Sequence, residues 1–221
     1  MFYPFWVPSG ERRDSVKFRS WAILALSAFL AFTESHSLKA QSSPDELVQH
    51  ARQEFQDGKF TDAERDFREI TRRDPSNLGA QLFLGQSLFR QQKFAEAVIP
   101  FEKARELEAG GKKLTSDQHR ILLDQLVISL GESGDLKRVH ALLDEAIRQD
   151  PDYPLNYYNL ACAYAGEGDK PKMLANLSLA FQHKDHVLKG EQMPDPRTDD
   201  SFQNYVHDPD FVKLMKQLGY N

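Results

Sequence analysis

A period of 34 residues in the apolar pattern constrains the fold of this chain more than any other feature. When the sequence is shifted by 34 residues, Phe67 falls on Phe101, and further along Leu143 falls on Leu177. A fixed period of this length indicates a stack of short repeats, because one such repeat buries its apolar face only against a neighbour.

The period runs in two registers that are out of phase. Ala104 and the matching Ala146 are 42 residues apart, which exceeds one period by eight residues. The sequence therefore predicts four units, at residues 44–77, 78–111, 120–153 and 154–187, with an insertion at 112–119.

Each unit has the pattern of two amphipathic helices joined by a turn. In unit one, Ser43 and Glu46 have the spacing of a capping box, and Pro44 takes the first helical position. The first helix is expected to end before the turn at Gly58. Apolar residues at three- and four-residue spacing then predict a second helix, which Pro75 stops.

The four units resemble the tetratricopeptide repeat family. That family places a large residue, Leu, Gly or Ala, Tyr, Ala, a large aromatic, Ala and Pro at set places in each repeat. The matching residues in units one to four are Ala51, Gly58, Ala63, Phe67 and Pro75; Leu84, Gly85, Leu88, Ala97, Phe101 and Ala104; Leu126, Gly134, Leu143, Ala146 and Pro151; and Tyr157, Leu160, Ala161, Tyr164 and Gly168. The resemblance covers roughly residues 44–187 and implies an all-α fold, a right-handed α-α superhelix or solenoid of helix-turn-helix units.

A few positions depart from the regular pattern. Thr115 begins a second capping box, so the first helix of unit three is expected to start inside the insertion. Pro100 lies within the second helix of unit two and is expected to bend it outward, because proline removes one helical hydrogen bond. Val139 and Met173 replace the family's small Ala, which predicts looser packing at the helix crossings of units three and four.

The residues after unit four do not continue the repeat. Residues 188–207 are rich in Asp, Pro and Gly, which predicts a loop. Asp208 then begins a short amphipathic helix that buries Phe211 and ends before Gly219. Residues 188–221 are therefore expected to form a loop and a C-terminal helix that caps unit four.

Residues 1–40 have the pattern of a signal peptide. Four basic residues between positions 12 and 19 precede an apolar run at 21–32, which is shorter than the ~20 residues that span a bilayer. Ala40 offers a cleavage site before Gln41. The segment predicts an exported protein, periplasmic or secreted, with an uncleaved membrane anchor at 21–32 as the alternative.

Charge and cysteine content narrow the choice of partners. The net charge is −5, and residues 1–40 contribute five basic and three acidic side chains, so the rest of the chain carries −7. An acidic body without a basic stripe makes nucleic acid an unfavourable partner. Cys162 is the only cysteine, so it forms no internal disulfide and lies too far along the chain to carry a lipid anchor.

The chain shows no recognisable catalytic or cofactor pattern. His183 and His186 lie three residues apart, but a metal site needs three or four converging ligands. The tail also contains five aspartates whose spacing does not match that of a calcium-binding loop, namely Asp195, Asp199, Asp200, Asp208 and Asp210. We therefore expect a protein that is not an enzyme and that has no metal, no cofactor and no small-molecule substrate.

The family resemblance implies a concave groove lined by the first helix of each unit. Its inward-facing places are taken by Val48, Arg52, Gln56, Leu82, Gln86, Arg90, Asp124, Ile128, Glu132, Tyr158 and Cys162. The family members that grip chaperone tails carry basic and amide residues at five places, held here by Val48, Arg52, Phe83, Ile121 and Gln125. A chaperone tail is therefore not the expected ligand. Arg52 and Arg90 favour an acidic peptide as the ligand, with Leu82 and Tyr158 as apolar anchors. The alternative is that these four are ordinary solvated residues of the groove.

Three functions remain open at this stage. The first is a non-enzymatic scaffold or adaptor that is exported to the cell envelope and binds a peptide or protein segment in its concave groove. The second is a structural subunit of an envelope assembly that is tethered to the membrane through 21–32 and docks through its convex face. A third, an enzyme with its site in the tail, depends only on the His and Asp clusters.

Overall fold

The structure is a computed structural model that describes residues 43–220. The signal segment predicted at 1–40, with its alternative as a membrane anchor, lies outside these residues. Within residues 43–220 no helix combines the length and the apolar character that a membrane crossing requires.

The described residues form helices and turns without any strand. The α-helices, in chain order, are α1 (Pro44–Gln56), α2 (Phe60–Arg73), α3 (Leu78–Arg90), α4 (Phe94–Ala109), α5 (Ser116–Glu132), α6 (Leu136–Gln149), α7 (Pro154–Glu167), α8 (Lys170–Gln182) and α9 (Pro209–Gln217). Two short 3₁₀ helices, Lys184–His186 and Asp200–Tyr205, lie between α8 and α9. The all-α fold predicted from the sequence is confirmed: a right-handed superhelix of four helix-turn-helix units with a C-terminal capping helix.

The contacts between helices define an inner and an outer layer. Each of α1 to α8 packs mainly against the helices before and after it in the chain. The first helices of the units, α1, α3, α5 and α7, also contact one another from unit to unit, whereas α2, α4, α6 and α8 contact one another much less. The first helices are therefore closer together and line the concave side of the superhelix.

Local sequence signals set where the helices begin. The Ser43 hydroxyl accepts a hydrogen bond from the Glu46 amide at 3.2 Å, and the Glu46 carboxylate accepts one from the Ser43 amide at 2.9 Å. Thr115 and Gln118 make the same reciprocal pair at the start of α5. These two capping boxes satisfy backbone groups that a helix start otherwise leaves exposed.

Small residues allow the helices of unit two to approach closely. A Cβ atom at Gly85 on α3 would lie 2.5 Å from the ring of Phe101 on α4, and Phe101 is fully buried. Helix α4 continues through Pro100, so the bend expected there stays a prediction. Looser packing was expected beside Val139. A small apolar pocket of about 30 Å³ lies there, between units three and four.

The buried side chains form two clusters that divide the stack. One cluster extends through units one to three, reaches Leu160 and Ala163 on α7, and includes Phe67, Phe101 and Leu126. The other joins unit four to the C-terminal segment and includes Tyr158 and Phe202. Unit four and the residues after it therefore share a core of their own, which positions that segment against the groove.

The turn inside each unit requires a left-handed backbone conformation. Gly58, Gly134 and Gly168 have φ values of 76°, 80° and 78° at equivalent places. Unit two has Gln92 at this place, with φ at 60° and an exposed side chain. A residue with a Cβ atom is strained in this conformation by about 1–2 kcal/mol.

We expect Gln92→Gly to stabilise the protein by about 1 kcal/mol, because glycine removes this strain and an exposed glutamine loses no packing. The measurement is chemical unfolding monitored by circular dichroism. The reverse exchange in unit four, Gly168→Gln, is the matched control and should destabilise by a similar amount. Equal stability of both variants and the wild type would contradict the assignment of strain to this turn.

Candidate binding groove

The side chains predicted to line the groove differ widely in exposure. Arg52 and Gln56 are exposed on unit one. Six others are half-buried, namely Val48, Gln86, Arg90, Asp124, Ile128 and Glu132. The remaining three are buried, namely Leu82, Tyr158 and Cys162. The open part of the inner face therefore lies on units one and two and reaches the edge of unit three.

Aromatic rings orient the two groove arginines. The Arg52 guanidinium lies 5.4 Å from the centre of the Phe83 ring, and the Arg90 guanidinium lies 4.5 Å from the centre of the Phe60 ring. Phe55 packs edge-on against both rings, at 5.4 Å from Phe60 and 5.3 Å from Phe83. Stacking on a ring restricts the orientation of each guanidinium, whose N–H groups lie in the plane of the group and point away from the ring face.

Arg52 is an exposed cation on the inner face. Within residues 43–220 the structure shows no ion pair between its guanidinium and a carboxylate. Most other arginines of unit one, such as Arg68 and Arg72, are paired with glutamates of the same helix. Arg52 therefore offers charge-assisted donors to a ligand on the inner face.

The sequence predicts Leu82 as an apolar anchor in the groove, but the structure does not place it there. Its side chain is only 2% exposed and belongs to the core of units one to three. It therefore packs between helices and is unavailable to a ligand.

Tyr158 and Cys162 are also not open groove residues, because the C-terminal segment covers them. The Tyr158 hydroxyl donates a hydrogen bond to Asp199 at 2.8 Å, and its ring packs edge-on against Phe202 at 5.7 Å. The Tyr205 hydroxyl donates to the backbone carbonyl of Ala165 at 3.2 Å, further along α7. Residues 188–207 are therefore a docked segment that closes the inner face of unit four.

Burial lowers the chemical reactivity of the covered side chains of Cys162 and Tyr158. It raises the pKa of the Cys162 thiol well above its ordinary value, and the nearby Asp199 carboxylate acts in the same direction. It also raises the pKa of Tyr158. A thiol with a raised pKa stays protonated and is a weak nucleophile, so this covered face provides no activated nucleophile.

The docked segment encloses carboxyl groups against unit three. Asp124 on α5 accepts a hydrogen bond at 2.7 Å from the amide of Asn159 on α7. Glu191 accepts one at 3.2 Å from the Tyr153 hydroxyl. Although Asp124 keeps some exposed surface, its carboxyl group is enclosed, and desolvation raises its pKa to about 6, with the Glu191 charge as a smaller cause. Burial also raises the pKa of Asp199.

The histidines and acidic residues that the sequence analysis discounted have ordinary partners. His183 stacks on the Tyr157 ring and faces the Asp152 carboxylate at 3.3 Å. Asp208 and Asp210 both pair with Lys170. The two ion pairs of Lys170 join the start of α8 to the start of α9.

Sequence reasoning missed one cluster, on unit one. His50 and Glu54 on α1 meet Asp66 on α2, and one ligand atom from each lies within 4.8 Å of the other two. The four-residue spacing of His50 and Glu54 was the available signal, since it places both on one helix face. Asp66 comes from the partner helix, and its approach depends on how the two helices cross.

Comparison with known proteins agrees with this architecture. A tetratricopeptide repeat family model matches residues 48–111. No curated protein matches the chain. A solved structure of YrrB, described as a TPR protein with an unusual peptide-binding site, is 15% identical, with 85% of this chain and 90% of that chain covered and a TM-score of 0.56.

Two further solved structures show the same fold. A crystal structure of MamA protein is 17% identical, with 79% of this chain and 89% of that chain covered and a TM-score of 0.60. A tetratricopeptide repeat protein from Parabacteroides merdae is 20% identical, with 80% and 67% covered and a TM-score of 0.51. At these identities the likeness concerns the fold.

The enclosed Asp124 predicts that stability falls as pH rises. An acid whose pKa is raised by folding stabilises the folded state below its ordinary pKa of about 3.9, and this contribution is lost as pH rises through the folded value of about 6. A difference of about 2 between the two pKa values corresponds to about 3 kcal/mol. The measurement is the free energy of unfolding at about pH 5 and about pH 7.5.

Asp124→Asn is the matched variant, because its side chain keeps an oxygen that accepts from Asn159 and does not titrate. We expect the variant to lose much of the decline in stability between the two pH values. Asp144→Asn, on the outer helix α6, is the control and should keep the wild-type profile. An unchanged decline in Asp124→Asn would show that Asp124 is not the group responsible.

Proposed function

We propose that this chain, whose residues 48–111 match a tetratricopeptide repeat family model, is a non-catalytic scaffold or adaptor that binds an acidic protein segment on the inner face of units one and two. The observation that carries the proposal is the pair of arginines held on aromatic rings there. Arginine recognises carboxylates with two parallel hydrogen bonds, which gives both affinity and direction.

The docked C-terminal segment supports this location. It covers the inner face of unit four, so a ligand has access to the opposite end of the groove. At that end Gln56 and Gln86 add amide groups, and Val48 adds a small apolar surface. The peptide-binding site named for YrrB belongs to a protein of the same fold, which makes a peptide a reasonable class of ligand.

The expected loss of binding affinity follows from the two arginine–carboxylate contacts that a double variant removes. A hydrogen bond to a charged group contributes about 1.5–3 kcal/mol when it is desolvated. We therefore expect the Arg52→Gln, Arg90→Gln double variant to weaken binding of an acidic partner by about tenfold or more, and to reduce the dependence of binding on salt.

The experiment is affinity capture from an envelope extract, followed by measurement of the dissociation constant for the captured partner. The matched control is Arg72→Gln, Arg73→Gln, which removes the same charge from the outer helix α2, where both residues pair with Glu69. The same partners and affinities in the groove variant and the wild type would remove the inner face from the proposal.

The second candidate is a membrane-tethered subunit that docks through its convex face. The observation that favours it is Ile99, a large apolar side chain that is 72% exposed on the outer helix α4. Ile99→Ser should abolish assembly in this case and leave the binding of an acidic segment unchanged. The groove variant should have the opposite effect, so the two variants separate the candidates.

Export to the cell envelope is part of the proposal and is supported by the signal pattern of residues 1–40. N-terminal sequencing of the protein from the envelope fraction tests it, and a start at Gln41 is the expected result. A start at Met1, with resistance to carbonate extraction, would favour the tethered subunit instead.

A further inference from the structure

Unit one contains a cluster of three potential metal ligands that is separate from the groove arginines. His50 Nδ1 lies 2.8 Å from Asp66 Oδ2 and 3.5 Å from Glu54 Oε2. The three ligand atoms all lie within 4.8 Å of one another. Ligands at the corners of a tetrahedron with bonds of about 2.0–2.1 Å are about 3.3 Å apart, so small side-chain movements place all three around one ion.

The two carboxylates are enclosed, whereas the imidazole is open. Glu54 and Asp66 are only 8% and 3% exposed. The His50 side chain is 51% exposed. Enclosed side chains are held in place by the packing around them, so the positions of the two carboxylates are well defined. The exposed histidine gives an ion a way in from solvent.

Arg65 lies on one side of the two carboxylates and His50 lies on the other. Its Nε donates to Asp66 Oδ1 at 3.1 Å, and its guanidinium lies 3.6 Å from Glu54 Oε1. The other oxygen of each carboxylate, Asp66 Oδ2 and Glu54 Oε2, faces His50. Arg65 therefore fixes the orientation of both carboxylates from behind, as outer groups do around metal ligands.

We propose that His50, Glu54 and Asp66 bind a divalent transition metal of the Zn²⁺ type. An imidazole nitrogen with two carboxylate oxygens is a donor set that Zn²⁺ accepts, and water completes the fourth position. The nitrogen ligand and the small number of protein ligands disfavour Ca²⁺, which takes six to eight oxygens, and Mg²⁺, which prefers an octahedron of oxygens.

The proposed ion joins the two helices of the first unit. His50 and Glu54 lie four residues apart on α1, and Asp66 lies on α2. An ion that binds the folded arrangement and not the unfolded chain raises stability by an amount that grows with the logarithm of the free-ion concentration once the site is filled. Protons compete with the ion for all three ligands, so binding weakens on acidification.

The experiment uses the full chain without an affinity tag, first stripped of metal with a chelator. Zn²⁺ is titrated by calorimetry, and Co²⁺ is used as a spectroscopic probe because a tetrahedral site gives a strong visible absorption. We expect one ion for each chain, a tetrahedral Co²⁺ spectrum that Zn²⁺ removes, and a higher unfolding temperature with Zn²⁺.

The test variant is His50→Gln, a change at an exposed position that leaves the fold intact. We expect it to weaken Zn²⁺ binding by about tenfold or more and to abolish the Co²⁺ spectrum. His119→Gln is the matched control, because His119 Nδ1 also lies 2.8 Å from a carboxylate, that of Glu108, in a pair outside the cluster. It should bind like the wild type.

Three results would overturn the proposal. The first is the absence of saturable Zn²⁺ binding to the wild-type chain. The second is equal loss of binding in the His50 and His119 variants, which indicates scattered surface histidines. The third is Ca²⁺ or Mg²⁺ binding as tight as that of Zn²⁺. Circular dichroism of each variant verifies that any loss of binding occurs in a folded protein.

Discussion

The packing of each helix pair against the next is the interaction on which the whole structure depends. A single pair exposes one apolar face, so every unit requires a neighbour, and the two ends of the stack require something else. At the C-terminal end the missing neighbour is replaced by the tail. Phe202 and Phe211 are fully buried against unit four and complete a core that the repeat alone leaves open.

This solution at the C-terminal end has a consequence for the groove. The segment that leads to α9 passes over the inner face of α7, where Asp199 and Phe202 contact Tyr158. The same residues that close the core therefore remove unit four from the binding surface. The free part of the groove is set by the requirement to cap the stack.

At the N-terminal end of the described stack, the contacts between the helices are more polar. There the contacts between α1 and α2 include enclosed carboxylates, an arginine and a histidine. Polar groups of this kind hold two helices at a defined angle, because each hydrogen bond has a preferred direction, whereas apolar contacts do not. The first helix pair therefore combines an apolar core with directional polar contacts.

The sequence alone was sufficient for the features that depend on neighbouring residues. The period of 34 predicted the helix pairs, and the capping boxes at Ser43 and Thr115 form as their spacing indicates. The exposure of individual side chains depends on distant residues and was not predictable in the same way. Tyr158 lies at an inward-facing place in its repeat, yet a residue 41 positions later covers it. Likewise, Asp66 meets His50 only because of the angle between two helices.

The distribution of charge along the free groove gives it a direction. Arg52 and Arg90 lie on units one and two, whereas unit three presents Asp124 and Glu132. The docked tail adds Glu191 near Asp124, so a further acidic group lies at the unit-three end of the groove. If the chain binds an acidic segment as we propose, the favourable orientation places the acidic residues of that segment over units one and two. The reverse orientation would bring like charges together at unit three, so in that case the tail would influence how the ligand lies in the groove.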